Sequence, residues 1–232
     1  MIRVGRLQGV LFDLDGVVLK SMDQHLQAWQ YAFNQVGLKI SAQEFYELEG
    51  RGVRWVTEEL ATRYNLDSAL KALITKTKMD YYNQIYKPEF YPGLFELLTL
   101  LKKKHIKTAI ISGANRVRID ELLAGPLQGY FDTAVSSDDV TNTKPYPEPY
   151  IKGAAKLQVH PADCIVIENA PLGIRSAKDA GMAVIAVRTT LADEYLRQAD
   201  YIVDDIPEVT KLLVNMIRHK GTEAQRHRGE KE

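Results

Sequence analysis

The sequence predicts an α/β fold, in which a parallel sheet carries helices on both faces, together with a separate block of helices. Two observations support this prediction. From Pro92 onward, short β-branched runs alternate with helical periodicity, which is the order of a parallel sheet. Between Leu19 and Pro88, helical patterns follow one another without a strand signal. This block is therefore predicted to be an insert rather than a continuation of the sheet.

The stretch from Val10 to Val18 contains the first predicted strand. Apolar residues run directly to Asp13 and Asp15, and Gly16 follows at once. Two carboxylates at the end of a buried strand are costly unless a cation balances them or a reaction uses them. A polar turn is the ordinary alternative. A calcium loop is disfavoured because a strand precedes the motif and apolar residues follow it.

The insert is predicted to be helical throughout. Apolar residues recur at helical spacing in 23–36 and 54–64, and 67–86 contains no internal glycine or proline. Ser41 is followed three residues later by Glu44, which is the pattern of a capping box at the start of a helix.

The rest of the chain supplies the alternating elements of the sheet. Strands are predicted at 107–111, 133–135, 164–167, 183–187 and 201–203. Helices are predicted at 93–105, 117–123, 149–157, 173–180 and 207–217. Ligands of such sheets collect at the carboxyl ends of the strands, so the residues that follow each strand are the candidates for a site.

The composition narrows the function classes. The chain has 232 residues, of which 45% are hydrophobic, and its 30 basic residues balance 30 acidic ones. No global charge therefore indicates a nucleic-acid or membrane partner. The single cysteine, Cys164, has no partner for an internal disulfide. Aspartates interrupt the first apolar run, which therefore does not match a signal peptide or a membrane span. We take a cytoplasmic location and a monomer as the defaults.

The residues after the second strand can bind an anion. Ser112, Gly113, Ala114 and Asn115 place a hydroxyl and small residues at the start of a helix, where main-chain N–H groups are free to donate. A serine before a helix is more often only an N-cap, so this motif alone is weak.

Two further strand ends complete the pattern. Lys144 lies in a proline-spaced loop, 143–149, which can hold an ammonium group against a phosphate, although a solvated lysine is the alternative. Glu168 and Asn169 follow the strand at 164–167. Together with Asp13 and Asp15 they offer the hard oxygen ligands that Mg²⁺ prefers, although a capped turn would look the same.

These motifs, in this order, resemble the four motifs of the haloacid dehalogenase (HAD) superfamily. The matching residues are Asp13-x-Asp15-Gly16, Ser112-Gly113, Lys144-Pro145 and Glu168-Asn169. The run ENAPLGIRSAKDAGM resembles the subfamily of β-phosphoglucomutases and phosphoglycolate phosphatases. The resemblance implies a Rossmann-like core formed by 1–19 and 89–220, and a mobile helical cap formed by 20–88. We expect the charged tail, 221–232, to be disordered.

The resemblance also implies a mechanism. Asp13 would attack phosphorus and Asp15 would act as general acid and base. Phosphate oxygens would be bound by Ser112 and Lys144 and by main-chain N–H groups of Leu14, Gly113 and Ala114. Mg²⁺ would be held by Asp13, the main-chain carbonyl of Asp15, Glu168 and Asn169. Relatives usually carry aspartate in place of Asn169, so we expect magnesium dependence with a weaker affinity.

The cap is expected to select the substrate. His25 on the first cap helix matches a histidine that the family places similarly, but a partly buried structural histidine is an equal alternative. Gly50, Arg51 and Arg54 lie in the loop that the family uses for specificity, although a solvated surface turn would contain the same residues. Asn115 is a further candidate for contact with the substrate. The expected activity is hydrolysis of a small phosphomonoester. A β-phosphoglucomutase is the alternative, and a catalytically silent phosphate-binding protein and a dehalogenase rank below both.

Overall fold

Six parallel strands form the sheet. The computed structural model describes the backbone of residues 7–229 and the side chains of residues 7–217. The strands run in the order β3-β2-β1-β4-β5-β6, and every neighbouring pair is parallel. This arrangement confirms the predicted α/β class. Their bounds are β1 Gly9–Phe12, β2 Lys107–Ile111, β3 Thr133–Val135, β4 Cys164–Glu168, β5 Ala183–Val187 and β6 Tyr201–Val203.

The central position of β1 explains where the site forms. β1 pairs with β2 on one edge and with β4 on the other, so Leu11 lies opposite both Ala109 and Val166. The chain fills one side of the sheet with β2 and β3, and then crosses to the other side for β4. The carboxyl end of β1 is therefore a topological switch point, where open α/β sheets bind their ligands.

Helices cover both faces of the sheet. One face packs against α5 (Leu94–Lys103), α6 (Arg116–Ala124) and α10 (Ile206–Gly229), and the other against α7 (Glu148–Leu157), α8 (Pro171–Asp179) and α9 (Asp193–Leu196). Val10 and Phe12 belong to the first apolar cluster and Leu11 to the second, as expected for a strand buried on both sides. These two clusters form the hydrophobic core.

Four helices form the insert: α1 Met22–Asn34, α2 Ala42–Tyr46, α3 Val53–Arg63 and α4 Ser68–Ile85. They have their own apolar cluster, which includes Trp29, Phe33 and Leu60. The capping box at the start of α2 is present as predicted. The two connections to the core run side by side, because the N–H of Lys20 donates to the carbonyl of Glu89 at 2.7 Å.

The structure differs from the predictions mainly in two places. The short helix α9 was not predicted, since four residues carry too little periodicity. Helix α10 continues to Gly229, so the disorder predicted for 221–232 is wrong for the backbone of 221–229. The alanine, glutamate, glutamine and arginine residues there favour a helix even without an apolar face. Residues 230–232 lie outside the described part of the chain. Within the described residues, no helix combines the length and the apolarity needed to cross a bilayer.

Candidate active site

Lys144 lies between two buried carboxylates at the carboxyl ends of β1 and β4. Its Nζ donates to Oδ1 of Asp13 at 2.5 Å, to Oε1 of Glu168 at 2.6 Å and to the carbonyl of Ile111 at 3.3 Å. The three charged side chains are at most 4% exposed. Three residues that are far apart in the sequence and were predicted as site residues therefore meet in one place.

The charges of this cluster are not balanced. Burial raises the pKa of Asp13 to about 7, and Lys144 opposes this shift. Burial would lower the pKa of Lys144, but Asp13 and Glu168 raise it well above its usual value, so the ammonium stays charged. One ammonium group, that of Lys144, thus pairs with two carboxylates, and a third carboxylate, Asp15, lies close by. This excess of negative charge favours the binding of a further cation at the site.

Glu168 uses both of its oxygens within the protein. Oε1 accepts hydrogen bonds from Lys144 and from the Tyr150 hydroxyl at 2.9 Å, and Oε2 accepts from the N–H groups of Asn169 and Ala170 at 2.8 and 3.0 Å. A carboxylate has about four acceptor sites, so this one is fully engaged. Glu168 was predicted to be a magnesium ligand, but in this arrangement it anchors Lys144.

Asn169 has an oxygen without a partner. Its amide nitrogen donates to the Thr190 hydroxyl at 3.3 Å, whereas Oδ1 is buried and makes no hydrogen bond with any described residue. The side chain packs closely against Gly16, where an added Cβ would lie 2.2 Å from Nδ2. Gly16, at φ +90°, thus permits the first and fourth motifs to touch. A buried unpaired carbonyl oxygen is suited to a metal ion.

Asp15 is held by three donors on one oxygen. Oδ1 accepts from the Ser21 hydroxyl at 2.5 Å, from Arg118 Nη2 at 2.8 Å and from His25 Nε2 at 3.3 Å. Burial raises the pKa of Asp15, but Arg118, His25 and Ser21 outweigh burial and hold the pKa well below its usual range. Asp15 is therefore ionised, and all three of these hydrogen bonds go to the same oxygen.

The neighbours of His25 determine its tautomer. Lys78 Nζ lies 3.1 Å from Nδ1, and a lysine ammonium can only donate, so Nδ1 accepts and Nε2 carries the hydrogen that goes to Asp15. The contact of 3.4 Å between Arg118 Nη1 and Nε2 then joins two donors and is not a hydrogen bond. Burial and Lys78 lower the pKa of His25 to about 4, and burial lowers the pKa of Lys78 to about 8.

The predicted phosphate loop follows β2 directly. The N–H of Ser112 donates to the carbonyl of Val135, and its hydroxyl accepts from the N–H of Ala114 at 3.0 Å. Asn115, which we predicted to contact the substrate, is the N-cap of α6, because its Oδ1 accepts from the N–H of Arg118 at 3.0 Å. Because Asn115 caps α6, the hydroxyl of Ser112 does not have to cap this helix and can bind a phosphate oxygen.

The cap loop closes on this phosphate loop through glycines. An added Cβ at Gly52 would lie 2.7 Å from the carbonyl oxygen of Gly113, and one at Gly113 would lie 2.7 Å from the nitrogen of Gly52. An added Cβ at Gly50 would lie 3.2 Å from the Cδ of Lys144. Side chains at these positions would keep the cap and the core apart.

The two arginines of the cap loop have different environments. Arg51 was predicted to reach the substrate, but its Nε donates to the carbonyl of Lys144 at 2.9 Å and its guanidinium packs on the Trp55 ring. Arg54 is exposed and lines the cavity between cap and core. Of these two, Arg54 is thus the one placed to meet a ligand.

A cavity of about 580 Å³ separates the cap from the core. Burial, Asp15 and Asp13 raise the pKa of Glu49 on its wall to about 8, so this carboxyl group is mostly protonated at neutral pH. The cavity can hold a small metabolite next to Asp13. Residues from both sides line it, including Asp13, Asp15, His25, Lys78, Ser112 and Arg118.

Several of these residues were not predicted from the sequence. Lys78 was detectable, because it lies between Ile74 and Tyr82 on the buried stripe of α4, where a lysine breaks the apolar pattern. Arg118 had no such signal, since α6 carries another arginine two residues earlier and only the tertiary structure distinguishes them. Ser21 lies in a connection for which no pattern applied.

The match to a known family decides the assignment. Residues 10–187 match the haloacid dehalogenase-like hydrolase family. The chain belongs to this family. The resemblance seen in the motifs is therefore confirmed.

Relatives within the family have several activities. The chain is 32% identical, over 96% of its length, to Suppressor of Quenching 1 from Arabidopsis thaliana, of which it spans 22%. It is 28% identical to a fructose-1-phosphate phosphatase from Escherichia coli, with 79% of this chain and 97% of that protein covered. The crystal structure of a β-phosphoglucomutase from Clostridium difficile superimposes with a TM-score of 0.77 at 25% identity and covers 93% of this chain and 99% of that one.

Proposed function

We propose that this protein is a magnesium-dependent phosphatase that hydrolyses a small phosphorylated metabolite through an aspartyl phosphate on Asp13. The substrate would be of the sugar phosphate or phosphoglycolate type. The observation that carries the proposal is the position of Asp13, at the switch point of the sheet, with Oδ1 on Lys144 and the cavity in front of it. A carboxylate beside a fixed cation is a competent nucleophile.

The reaction has two steps. In the first, Asp15 takes up a proton as the anionic ester binds beside it, because a nearby anion raises the pKa of a carboxyl group. An Asp13 oxygen then bonds to phosphorus as the bond to the leaving oxygen breaks, and Asp15 gives that oxygen its proton. In the second, water attacks phosphorus, the bond to Asp13 breaks, and Asp15 takes the proton from water. The ionised Asp15 that Arg118 and His25 favour is the form that this second step needs. General acid and base catalysis of this kind contributes about 10²–10⁴ in rate.

The phosphoryl oxygens would be bound by groups around Asp13. Lys144 and the Ser112 hydroxyl supply side-chain donors, and Leu14, Gly113 and Ala114 supply main-chain N–H groups. The side chain of Leu14 is fully buried, so only its main chain can take part. The N–H of Ala114 would exchange its bond to Ser112 for one to phosphate. Such preorganised donors stabilise the charge that develops on a transferred phosphoryl group.

The donors at the site fit magnesium. Asp13, the main-chain carbonyl of Asp15 and the unpaired Oδ1 of Asn169 would hold it, and Glu168 could join only by giving up a hydrogen bond. The described side chains, those of residues 7–217, include no group of three or more acidic, histidine or cysteine residues that could hold a metal ion, and magnesium is often bound by one or two carboxylates with waters. When bound, it would neutralise charge between the nucleophile and the phosphate.

Release of inorganic phosphate tests the proposal. We expect the protein with magnesium to release phosphate from p-nitrophenyl phosphate and from members of a panel of phosphorylated metabolites, and chelation by EDTA to stop the release. Turnover that persists after chelation would contradict the magnesium requirement. No phosphate release from any ester would favour a silent phosphate-binding protein.

A phosphosugar mutase is the second candidate, because the structure of a β-phosphoglucomutase superimposes over nearly the whole chain. Mutases exclude water so that a sugar hydroxyl attacks the phosphoenzyme. Conversion of β-glucose 1-phosphate to glucose 6-phosphate with a bisphosphate activator, without release of phosphate, would establish the mutase. The cytoplasmic location, the monomeric state and the lack of nucleic-acid or membrane partners stay predictions.

A further inference from the structure

Three polar atoms without partners converge at one end of the cavity. They are the hydroxyl oxygens of Tyr82 and Tyr86 and the Nε of Arg118. Arg118 interacts electrostatically with both tyrosines, but none of the three atoms makes a hydrogen bond of normal geometry with a described residue. Tyr82 lies in α4 of the cap, and Tyr86 follows the last residue of that helix four positions later, which places both on the same side of it. Arg118 belongs to α6 in the core. The guanidinium carbon lies 5.1 and 5.0 Å from the two ring centroids.

These atoms are buried but belong to residues that line the cavity. Buried polar groups in proteins are nearly always paired, and those that are not call for an explanation such as a missing ligand. Three such atoms in one place, supplied by two separate parts of the molecule, are best explained by a ligand that bridges the cap and the core.

The unpaired groups have the character of donors. An arginine can only donate. A phenol normally ionises near pH 10, and burial raises the pKa of both tyrosines further, so both keep their hydrogens. Arg118 Nη2 is already used on Asp15, and Nε is the donor that remains. A ligand that satisfies three donors at once needs several acceptor oxygens.

Two cations lie at this end of the cavity. Lys78 is 1% exposed, and its Nζ bonds to an uncharged imidazole and lies 4.5 Å from the Tyr82 ring centroid. Arg118 is the second cation and is paired with Asp15, whereas the carboxylate of Glu121, which also lines the cavity, is exposed. A buried cation without an anionic partner favours the binding of an anion.

We propose that Tyr82, Tyr86 and Arg118 form a subsite for an anionic group, a carboxylate or a second phosphate, which the substrate carries on its leaving group. The proposal rests on the proposed phosphatase function, because the leaving oxygen is defined there as the one that Asp15 protonates. Arg118 lies one hydrogen bond from Asp15, so the anionic group belongs about two to four bonds from that oxygen. A substrate with a neutral leaving group would leave the three donors unpaired.

Two unreactive phosphonates test the subsite directly. 3-Phosphonopropionate and 3-hydroxypropylphosphonate differ only in whether the far end is a carboxylate or a hydroxymethyl group. With magnesium present, isothermal titration calorimetry should show the carboxylate binding at least about tenfold more tightly to the unaltered protein. Arg118→Gln should reduce that ratio to about one, Arg118→Lys should restore part of it, and Tyr86→Phe should reduce it less.

Two matched variants serve as controls. Arg63→Gln removes an arginine that forms a surface pair with Glu59, and Tyr81→Phe removes the hydroxyl of a tyrosine whose ring stacks on Tyr31. Both should keep the ratio of the unaltered protein. Equal affinity for the two phosphonates, no binding of either, or an unchanged ratio in Arg118→Gln overturns the subsite. Because no turnover is involved, this failure is separate from a failure to release phosphate from any ester.

Discussion

The core and the cap contribute to the cavity in different ways. On the core side, the charged groups are fixed by other protein groups: Lys144 bridges Asp13 and Glu168, and Asp15 receives three hydrogen bonds. On the cap side, the hydrogen-bond partner of Lys78 is an uncharged imidazole, and the hydroxyls of Tyr82 and Tyr86 have none among the described residues. The charged groups of the core therefore have protein partners, with Ser21 and His25 of the insert contributing to those of Asp15, whereas the cap side presents groups that a ligand can pair. On the proposed function, we expect the chemistry to depend mainly on the core and the choice of substrate mainly on the cap together with Arg118.

The largest effect should follow from removing the core nucleophile. Asp13→Asn keeps the shape of the side chain but replaces the attacking oxygen, so we expect turnover of p-nitrophenyl phosphate to fall by at least about 10⁴-fold. Asp15→Asn should cost less, about 10²–10⁴-fold. The thermal midpoint of each variant shows whether its fold is intact. Near-normal turnover in a folded Asp13→Asn variant would contradict the role of Asp13 as the nucleophile supplied by the core.

The next effect concerns the stability of the core cluster. Lys144→Ala leaves Asp13 and Glu168 buried without their shared cation, so the free energy of unfolding in urea should drop by about 3–5 kcal/mol. Lys152→Ala is the matched control, because Lys152 is 45% exposed and its loss should change stability by no more than about 0.5 kcal/mol. Similar losses in the two variants would show that the core cluster is not preorganised as described.

A third effect concerns His25 on the cap side and the pH dependence of the free energy of unfolding. Burial and Lys78 lower the pKa of His25 to about 4, below its unfolded value of 6.5. Between these two pKa values the folded protein binds fewer protons than the unfolded chain. His25 therefore leaves the free energy of unfolding unchanged above pH 6.5 and lowers it by about 3 kcal/mol as the pH falls to 4. In urea unfolding across this range, His25→Asn should lose that part of the acid sensitivity. The exposed His105→Asn should keep it, and equal slopes for His25→Asn and the unaltered protein would contradict the buried neutral imidazole.

The smallest effect tests the unpaired oxygen of the core. Asn169→Asp adds a negative charge beside Asp13, so magnesium should bind about tenfold more tightly, which is equivalent to about 1.4 kcal/mol. Calorimetry with magnesium and the activity midpoint against magnesium should shift together. Thr190→Val, which removes only the hydroxyl that accepts from the Asn169 amide nitrogen, should shift them less. Equal or reversed midpoints would argue against Asn169 as a ligand.

The contrast between the core and the cap also explains which site residues could be predicted from the sequence. Asp13 and Glu168 were predictable because a parallel sheet brings its strand ends to one edge, so position along the chain determines position in space. Lys144 lies in the loop between β3 and α7, and it was predicted from its proline-spaced motif and the family resemblance. Arg118 and Tyr86 were not, since their roles depend on how two helices dock across the cavity. Asn115 shows the intermediate case. Its place in the phosphate loop was recognised, but only the hydrogen bond to Arg118 shows that it caps a helix.

The central claim is that Asp13 carries the phosphoryl group during turnover. Rapid quenching of the protein with a phosphomonoester and magnesium, followed by borohydride reduction, converts an aspartyl phosphate into homoserine, which peptide mass spectrometry locates. We expect homoserine at position 13 only when both ester and magnesium are present. Turnover with an unmodified Asp13, or with the modification at Asp15 or another acid, would contradict it.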